Sequence, residues 1–585
     1  MIKCKKTTKW NFFLIIFILM FSVTFSQKLL AFRDQPAIGS IVVEISDNPM
    51  WMWDMTEVVS IEGASSSTNH DITTDNSGNV YITWEDGADY DGAGWDHDIF
   101  LRIWNATSLS WSTTEVVSTE TTTHSQDPSI AVDSYHNVHL AWSDIANYTN
   151  AGYDSDIFYR LWNATSLSWS TTEVVSTEST SDSIESDLAV DSEGNVHVFW
   201  VDTTDYSSAG TDTDIFYKFK NATDEVWTTT EVISAGSTAA SRYQSVGVDS
   251  EGNAHIVWRD ETSNYASSGS DIDIFYKSWN VASSSWSAIE VVSTESTQAS
   301  IQPSLAIDSY DNLHVCWQDS TDYGGADTGY DIFYKFWNAT TLIWTITEVA
   351  STETPSSISA DSPSIAVDTL GNSHVIWSQY NVSLPPGVDK DILYNFRNAT
   401  DSSWNITEVA STESTANSWN NEMTTDIFGN VHLIWSDQTD YTGAGTDTDV
   451  FYKRLTLSHL PTPVLEPIVP NPSNIENITL HWRASHFADK YYVYRSNSSI
   501  ASSVGLTPIA ILNSITYEDC SLSNDIYYYV IVATTPYLNS SLSNEMWVEV
   551  DNSIIPEYSI EAQFFIGLIL GTSLLVILRN RKKTH

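Results

Sequence analysis

Seven times along the chain a Trp closes the phrase Asp-x-x-x-Asn-x-x-x-x-Trp, at Trp84, Trp142, Trp200, Trp258, Trp317, Trp377 and Trp435, at intervals of 58, 58, 58, 59, 60 and 58 residues. A period this regular constrains the fold more than any local signal does. Each copy is one supersecondary unit that buries its apolar faces only against its neighbours.

Within one period, four apolar runs are separated by turn chemistry: 187–191, 195–202, 214–221 and 226–234. Each is short, rich in Val, Ile, Phe, Tyr, Trp and Thr, and bounded by Gly, Asn, Asp and Ser, so each reads as a strand. The third run is apolar on both faces, as in Ile332, Phe333, Tyr334 and Trp337, so both of its faces are covered. The fourth run, Thr-Glu-Val-Val-Ser or a variant, recurs at Glu57, Glu115, Glu173, Glu231, Glu290, Glu348 and Glu408. Its first copy precedes every other strand, and the last third run, 449–453, has no fourth run after it. A closed ring accounts for both facts and leaves no free sheet edge. The expected fold is therefore all-β: a seven-bladed β-propeller over 51–457, four strands per blade, with the N-terminal strand around Trp53 completing the last blade.

The ends carry other signals. Residues 1–26 combine Lys3, Lys5, Lys6 and Lys9 with an apolar stretch and small residues near Ser26, the layout of a secretory signal peptide; 27–50 reads as a linker. Residues 560–578 are apolar apart from Glu561 and Gln563, long enough to cross a bilayer, and precede Arg579, Arg581, Lys582 and Lys583. That makes 553–585 a transmembrane anchor with a basic cytoplasmic tail, and places the bulk of the chain outside the cell. Pro556-Glu557-Tyr558, an apolar helix and a basic cluster together resemble the PEF-type sorting tags of archaeal surface proteins, with Tyr in place of Phe. Pro461, Pro463, Pro467, Pro470 and Pro472 mark 458–474 as a stiff linker. Three strand-like runs follow, at 477–484, 490–496 and 526–533. They resemble a fibronectin type III domain over 475–552, a C-terminal β-sandwich. The resemblance implies Trp482 as its core Trp and Tyr528 as its tyrosine corner. Cys316 and Cys520 lie in different domains, so no disulfide framework is expected.

A net charge of -50, from 75 acids against 25 bases, excludes nucleic acid as a partner, since that function needs a basic footprint. It suits an exposed, cation-attracting surface.

In an antiparallel meander alternate connections share a face. On one face the turn after the third strand carries acceptor sequons at Asn105, Asn163, Asn221, Asn338 and Asn398. Glycosylation and simple turn formation are both readings of them. The other face carries the acidic loops between second and third strands. Asp202, Asp205, Asp212 and Asp214 in one loop, and Asp437, Asp440, Asp447 and Asp449 in another, are candidate calcium ligands, because a hard cation takes six to eight oxygens. The alternative is that these carboxylates cap turns. A repeated Tyr in these loops reads as packing between blades. A repeated His, from His139 to His432, reads as a hydrogen-bonded structural residue between blades, because metal coordination needs convergence.

The repeat phrases Ala-Val-Asp-Ser-x-Gly-Asn-Val-His resemble those of sialidase-like and NHL-type propellers. A sialidase implies a triad of arginines, a Tyr nucleophile and a Glu base. Arg102 and Arg160 occupy positions held elsewhere by Lys218 and Lys277, so no triad assembles. A unique site needs residues that break the repeat, and on the acidic face these are His70, Trp95, His97, His124, Arg242, Arg259, Trp419 and Glu422. No nucleophile with a partnered base is recognisable among them. The chain reads as a surface-anchored binding or adhesion protein for an extracellular glycan or protein ligand. A glycan-active hydrolase or lyase and a structural surface-layer component are the alternatives.

Overall fold

The computed structural model describes residues 51–551, apart from 63–64, 208, 327–328, 352–358, 381–388, 400, 458–459, 461, 474–476, 486–487, 489, 521 and 535–538. The expected signal peptide, the 27–50 linker and the membrane anchor lie outside these residues. Among the described residues no helix is long and apolar enough to cross a membrane.

Seven antiparallel sheets of four or five strands follow one another along the repeats. Sheet one runs through Ser67–Thr74, Val80–Asp86, Asp98–Asn105 and Ser110–Trp111, with Glu115–Val116 beside the third strand. Its second strand is buried from end to end, as expected for a strand covered on both faces. The other sheets repeat this order. Sheet seven takes Ser418–Thr425, Val431–Asp437 and Asp449–Leu457 from its own repeat, and Trp51–Trp53 and Glu57–Val58 from the start of the described chain. Trp53 lies opposite Leu455 and Glu57 opposite Tyr452, so the orphan N-terminal strand completes the last sheet as expected. The first strands of successive sheets touch, and that of sheet one also touches that of sheet seven. The architecture is propeller-like, with first strands innermost.

Side chains from one register position tie each sheet to the one before it. Lys218 Nζ donates to the Val175 carbonyl at 2.8 Å, and Lys335 to that of Val292 at 2.9 Å. Arg102, Arg160, Lys277, Asn395 and Lys453 do the same in the remaining sheets. This explains why Arg and Lys share that position: both reach a carbonyl of the preceding sheet, and neither is a triad member. The repeated Trp lies fully buried in each sheet, against the Phe of the third strand in six of them and opposite Leu393 in sheet six. The repeated His bonds a Tyr hydroxyl of its own sheet and, except at His197, a turn Asp, as in His432 with Tyr452 at 2.8 Å and Asp426 at 3.2 Å. The network is structural as expected; it runs mainly within a sheet and crosses between sheets at His314, whose Nδ1 lies 2.8 Å from Ser373 Oγ of sheet six. Loop tyrosines pack on the Phe of their own sheet, for example Tyr90 against Phe100, and also reach back toward the sheet before, as Tyr265 does in donating to the Ala235 carbonyl at 3.0 Å.

After sheet seven come two further sheets. One pairs Val464–Leu465, Ile478–Arg483 and Thr516–Asp519; the other orders Ala510–Leu512, Lys490–Ser496, Asp525–Thr534 and Met546–Val550. They share one core around Trp482, Tyr491, Tyr529 and Val548. The stretch expected as a stiff linker, 458–474, is drawn into this unit: Val464–Leu465 is a strand, and Leu460, Leu465 and Ile468 are in its core. The Tyr whose hydroxyl turns back to the preceding backbone is Tyr527, bonded to the Ser523 carbonyl at 3.2 Å, and not Tyr528. Cys316 and Cys520 are free thiols.

Candidate functional site

A cavity of about 700 Å³ runs between the first strands, lined by residues of all seven sheets. One position, thirteen residues before each repeat Trp, forms its wall: Asp71, Ser129, Asp187, Ser245, Ser304, Ser364 and Glu422. Each side chain reaches sideways. Asp71 Oδ2 accepts the Ile130 N–H at 2.8 Å, Ser245 Oγ that of Leu305 at 3.0 Å, and Ser129, Asp187, Ser304 and Ser364 accept their counterparts. Ser129 also donates to Asp187 at 3.2 Å, and Ser364 to Glu422 at 2.9 Å. Six of the seven positions therefore latch their sheet to the next around the channel.

Three of these seven groups are acids, and they repel one another. Enclosure by protein, then the Asp71 carboxylate, push Asp187 up to about 8; enclosure, then Asp71 and Asp187, do the same for Glu422. Burial raises Asp71 to about 6. Glu422 keeps contact with channel solvent, and this water moderates the effect. His70 faces the same cavity at 6% exposure. Neither of its ring nitrogens has a hydrogen-bond partner, and burial drives its pKa down to about 3.

Two residues before the wall, each first strand breaks register with a bulge. There Asn69, Asp127, Glu185, Tyr243, Gln302, Ser362 and Asn420 all have φ between 44° and 55°. A non-glycine residue in the left-handed region costs energy, and the fold holds one in every sheet. The backbone is constant there while the side chain changes. Asn69 Nδ2 bonds Asp127 at 2.8 Å and Glu85 at 3.0 Å; Gln244 donates to the Glu185 carbonyl.

The repeat-breaking residues expected to form a site fall into separate places around this mouth. Arg242 and Arg259 lie opposite each other in sheet four. Arg242 Nη1 is 3.6 Å from Glu185, and the Arg259 guanidinium lies 4.8 Å over the Tyr243 ring and bonds Glu261 at 3.2 Å. His97 and His124 meet edge to face at 5.1 Å, and His97 Nδ1 is 3.3 Å from Glu85. Trp95 is 84% exposed in its loop. Trp419 lies opposite Ser436, and only His70 and Glu422 line the channel. The eight are not one constellation. The acids missed beside Glu422 are Asp71, Asp127, Glu185 and Asp187. Reading the repeats by column thirteen residues before the Trp would have found two of them.

In the acidic loops the structure divides the calcium candidates. Asp202 accepts the Thr204 N–H at 2.7 Å and the Ser183 hydroxyl at 2.7 Å, and Asp437 does likewise with Thr439 and Ser418. Asp205 and Asp440 each accept a glycine N–H at 3.3 Å. These four cap turns. Asp212, Asp214, Asp447 and Asp449 each keep one buried oxygen without a partner. On the opposite face the sequon side chains also shape turns: Asn105 Oδ1 accepts the Ser108 N–H at 2.8 Å, and Asn163, Asn221 and Asn338 act similarly.

No family model matches the chain and no curated protein is similar to it. Among solved structures, the polysaccharide lyase Uly1 is similar over 66% of this chain and 89% of its own, at 12% identity and a TM-score of 0.44. The NanB sialidase of Streptococcus pneumoniae is similar over 70% and 71%, at 11% identity and 0.36. The intramolecular trans-sialidase of Ruminococcus gnavus is similar over 68% and 95%, at 10% identity and 0.35. These values carry no activity over to this chain.

Proposed function

We propose that the chain is an exported, membrane-anchored cell-surface protein that binds an extracellular glycan at the mouth of its axial channel. In this reading the seven sheets are the blades of a closed seven-bladed propeller, the fibronectin type III-like domain is a spacer, and 553–585 is the anchor. The observation that carries it is the bulge position: one strained backbone geometry is kept in all seven sheets, and three of the side chains it carries, Asp127, Glu185 and Tyr243, line one cavity beside Gln244. Carboxylates, an amide and an aromatic ring on a concavity are groups that bond sugar hydroxyls and pack on a sugar face. The wall groups behind them are engaged in latching sheets and add depth without being free to react.

A second reading, a glycan-active hydrolase or lyase, is favoured by Asp187 and Glu422. Burial raises the pKa of both, less for the solvent-touched Glu422, in the direction a general acid needs.

The test is a glycan array probed with the full chain, followed by release assays on any glycan retained. Tyr243→Ala and Glu185→Gln are expected to weaken binding about tenfold, or 1.4 kcal/mol, each. Turnover abolished by Glu422→Gln would establish the enzymatic reading instead. Retention of proteins but of no glycan would overturn the ligand class.

A further inference from the structure

We propose that six of the seven junctions between neighbouring sheets on the acidic face bind one calcium ion each, through the Gly-x-Asp-x-Asp phrase that opens every third strand but that of sheet five. The phrase occurs at Gly94, Asp96 and Asp98; Gly152, Asp154 and Asp156; Gly210, Asp212 and Asp214; Gly269, Asp271 and Asp273; and Gly445, Asp447 and Asp449.

Its geometry is repeated. The second Asp is almost fully buried: Asp98 is 2% exposed, Asp156 3%, Asp214 1%, Asp273 3% and Asp449 2%. Its Oδ1 accepts a Ser hydroxyl of the adjoining fourth strand, as in Ser234 to Asp214 at 2.6 Å and Ser118 to Asp98 at 2.6 Å. Its Oδ2 has no partner in Asp98, Asp156, Asp214 and Asp449. The first Asp repeats the pattern, with Oδ2 of Asp96, Asp212, Asp271 and Asp447 buried and unpartnered. In three loops both oxygens are orphaned together. A Cβ at Gly94, Gly210 or Gly445 would collide with the first Asp, so the glycine lets the loop fold that carboxylate inward.

An orphaned carboxylate oxygen inside a protein is costly, and two side by side are costlier. A third acid adds to them from the next sheet: Asp144 acts on Asp98, Asp202 on Asp156, Asp260 on Asp214, Asp319 on Asp273 and Asp86 on Asp449.

The junction between sheets five and six supplies an internal control. Gly329 stands where the first Asp would be, and Gln379 stands where the next sheet's Asp would be. Two acids from separate sheets are thus absent together from one junction. Turn capping gives no reason for this pairing, whereas a shared cation does.

No three acidic, His or Cys side chains among the described residues stand as a ready ligand set. Each site is therefore a two-carboxylate one, completed by loop carbonyls and water, with the next sheet's Asp as an outer negative group. Calcium accepts this irregular set of oxygens, and magnesium, which demands a near-ideal octahedron, does not.

The test is calcium content and melting of the full chain after chelation and dialysis into calcium with excess magnesium. About six equivalents are expected to be retained, since sheet six also carries Asp389 and Asp391 in the same phrase. Asp212→Asn combined with Asp214→Asn should lose one equivalent, and Asp205→Asn none. If the double variant does not fold, Asp212→Asn alone should weaken one site at least tenfold. Calcium should raise the melting temperature of the chelated protein, and magnesium should not. Less than one equivalent bound, unchanged stoichiometry in a folded Asp212 variant, or equal rescue by magnesium would overturn the proposal.

Discussion

The indole Nε1 of Trp53 donates to Glu408 Oε2 at 3.2 Å across 355 residues of chain. The same bond links Trp111 to Glu57, Trp169 to Glu115, Trp227 to Glu173, Trp286 to Glu231, Trp344 to Glu290 and Trp404 to Glu348. Trp53 and Glu57 both come from the start of the described chain, so one strand supplies sheet seven with its donor to sheet six and its acceptor for sheet one. Trp53 also meets Tyr394 edge to face at 5.2 Å.

Trp53→Ala removes that bond and the aromatic contact, and is expected to cost about 2–4 kcal/mol. Hydrogen exchange should show the loss as faster exchange in Trp51–Val58 and Asp449–Leu457 and no change in sheets two to five. Uniform acceleration would mean that the closing strand does not open as a unit.

The pH dependence of stability has a definite sign. Asp187 and Glu422 hold protons near neutral pH in the folded state that the unfolded chain releases above about 4. Stability from these groups is therefore present at low pH and falls as pH rises from about 4 to 8. Glu422→Gln is expected to flatten this slope, raising the melting temperature at pH 8 relative to the parent and leaving it nearly unchanged at pH 4. An equal shift at both values would show that the carboxyl is not the titrating group.

At the inter-sheet staple, Lys218 is buried, and its Nζ bonds the Val175 carbonyl, the Thr177 hydroxyl at 2.7 Å and Glu178 at 2.6 Å. Lys218→Met removes all three of these contacts and leaves Glu178 without its cation, and should cost about 2–4 kcal/mol in chemical denaturation. Arg160 makes the equivalent contact in sheet two, so Lys218→Arg should retain most of the stability.

The sequons offer a test of export. Asn163 uses its carbonyl oxygen to shape the turn, which leaves its amide nitrogen to carry a glycan. Mass analysis of protein from its native source is expected to find modification there and none at Asn280, which is followed by Val281 and Ala282. Unmodified Asn163 would leave turn formation as the sole role of the motif.

The period and the identity of its strands were legible because a sheet covered on both faces needs apolar residues at each step, and a hairpin needs Gly or Asn at its turn. Even the closing strand could be read, from Trp53 and Glu57 matching columns filled in every repeat. The channel was harder to read. Its wall residue alternates between Ser129 and Asp187 because either accepts one N–H from the next sheet, so the column has no single signature. The bulge was hidden for a related reason: left-handed backbone at Glu185 or Tyr243 is imposed by the ring, not invited by the residue. His97 and His124 were visible as oddities, but their meeting depends on two loops whose approach no local pattern encodes.

Met52 pairs with Thr456 across 404 residues, which sets an order in time. Sheets one to six can each form as soon as their own repeat has been made, whereas the seventh must wait for a strand synthesised first and needed last. At ordinary synthesis rates that wait is roughly 20 to 80 s. During it, Trp51, Met52 and Trp53 are an unpaired apolar strand on a growing array, with an equally bare edge yet to appear. For that interval the chain is a candidate for pairing with another copy of itself. A second molecule's first strand would fit the seventh sheet as well as its own, and only the shorter search within one chain favours the closed monomer.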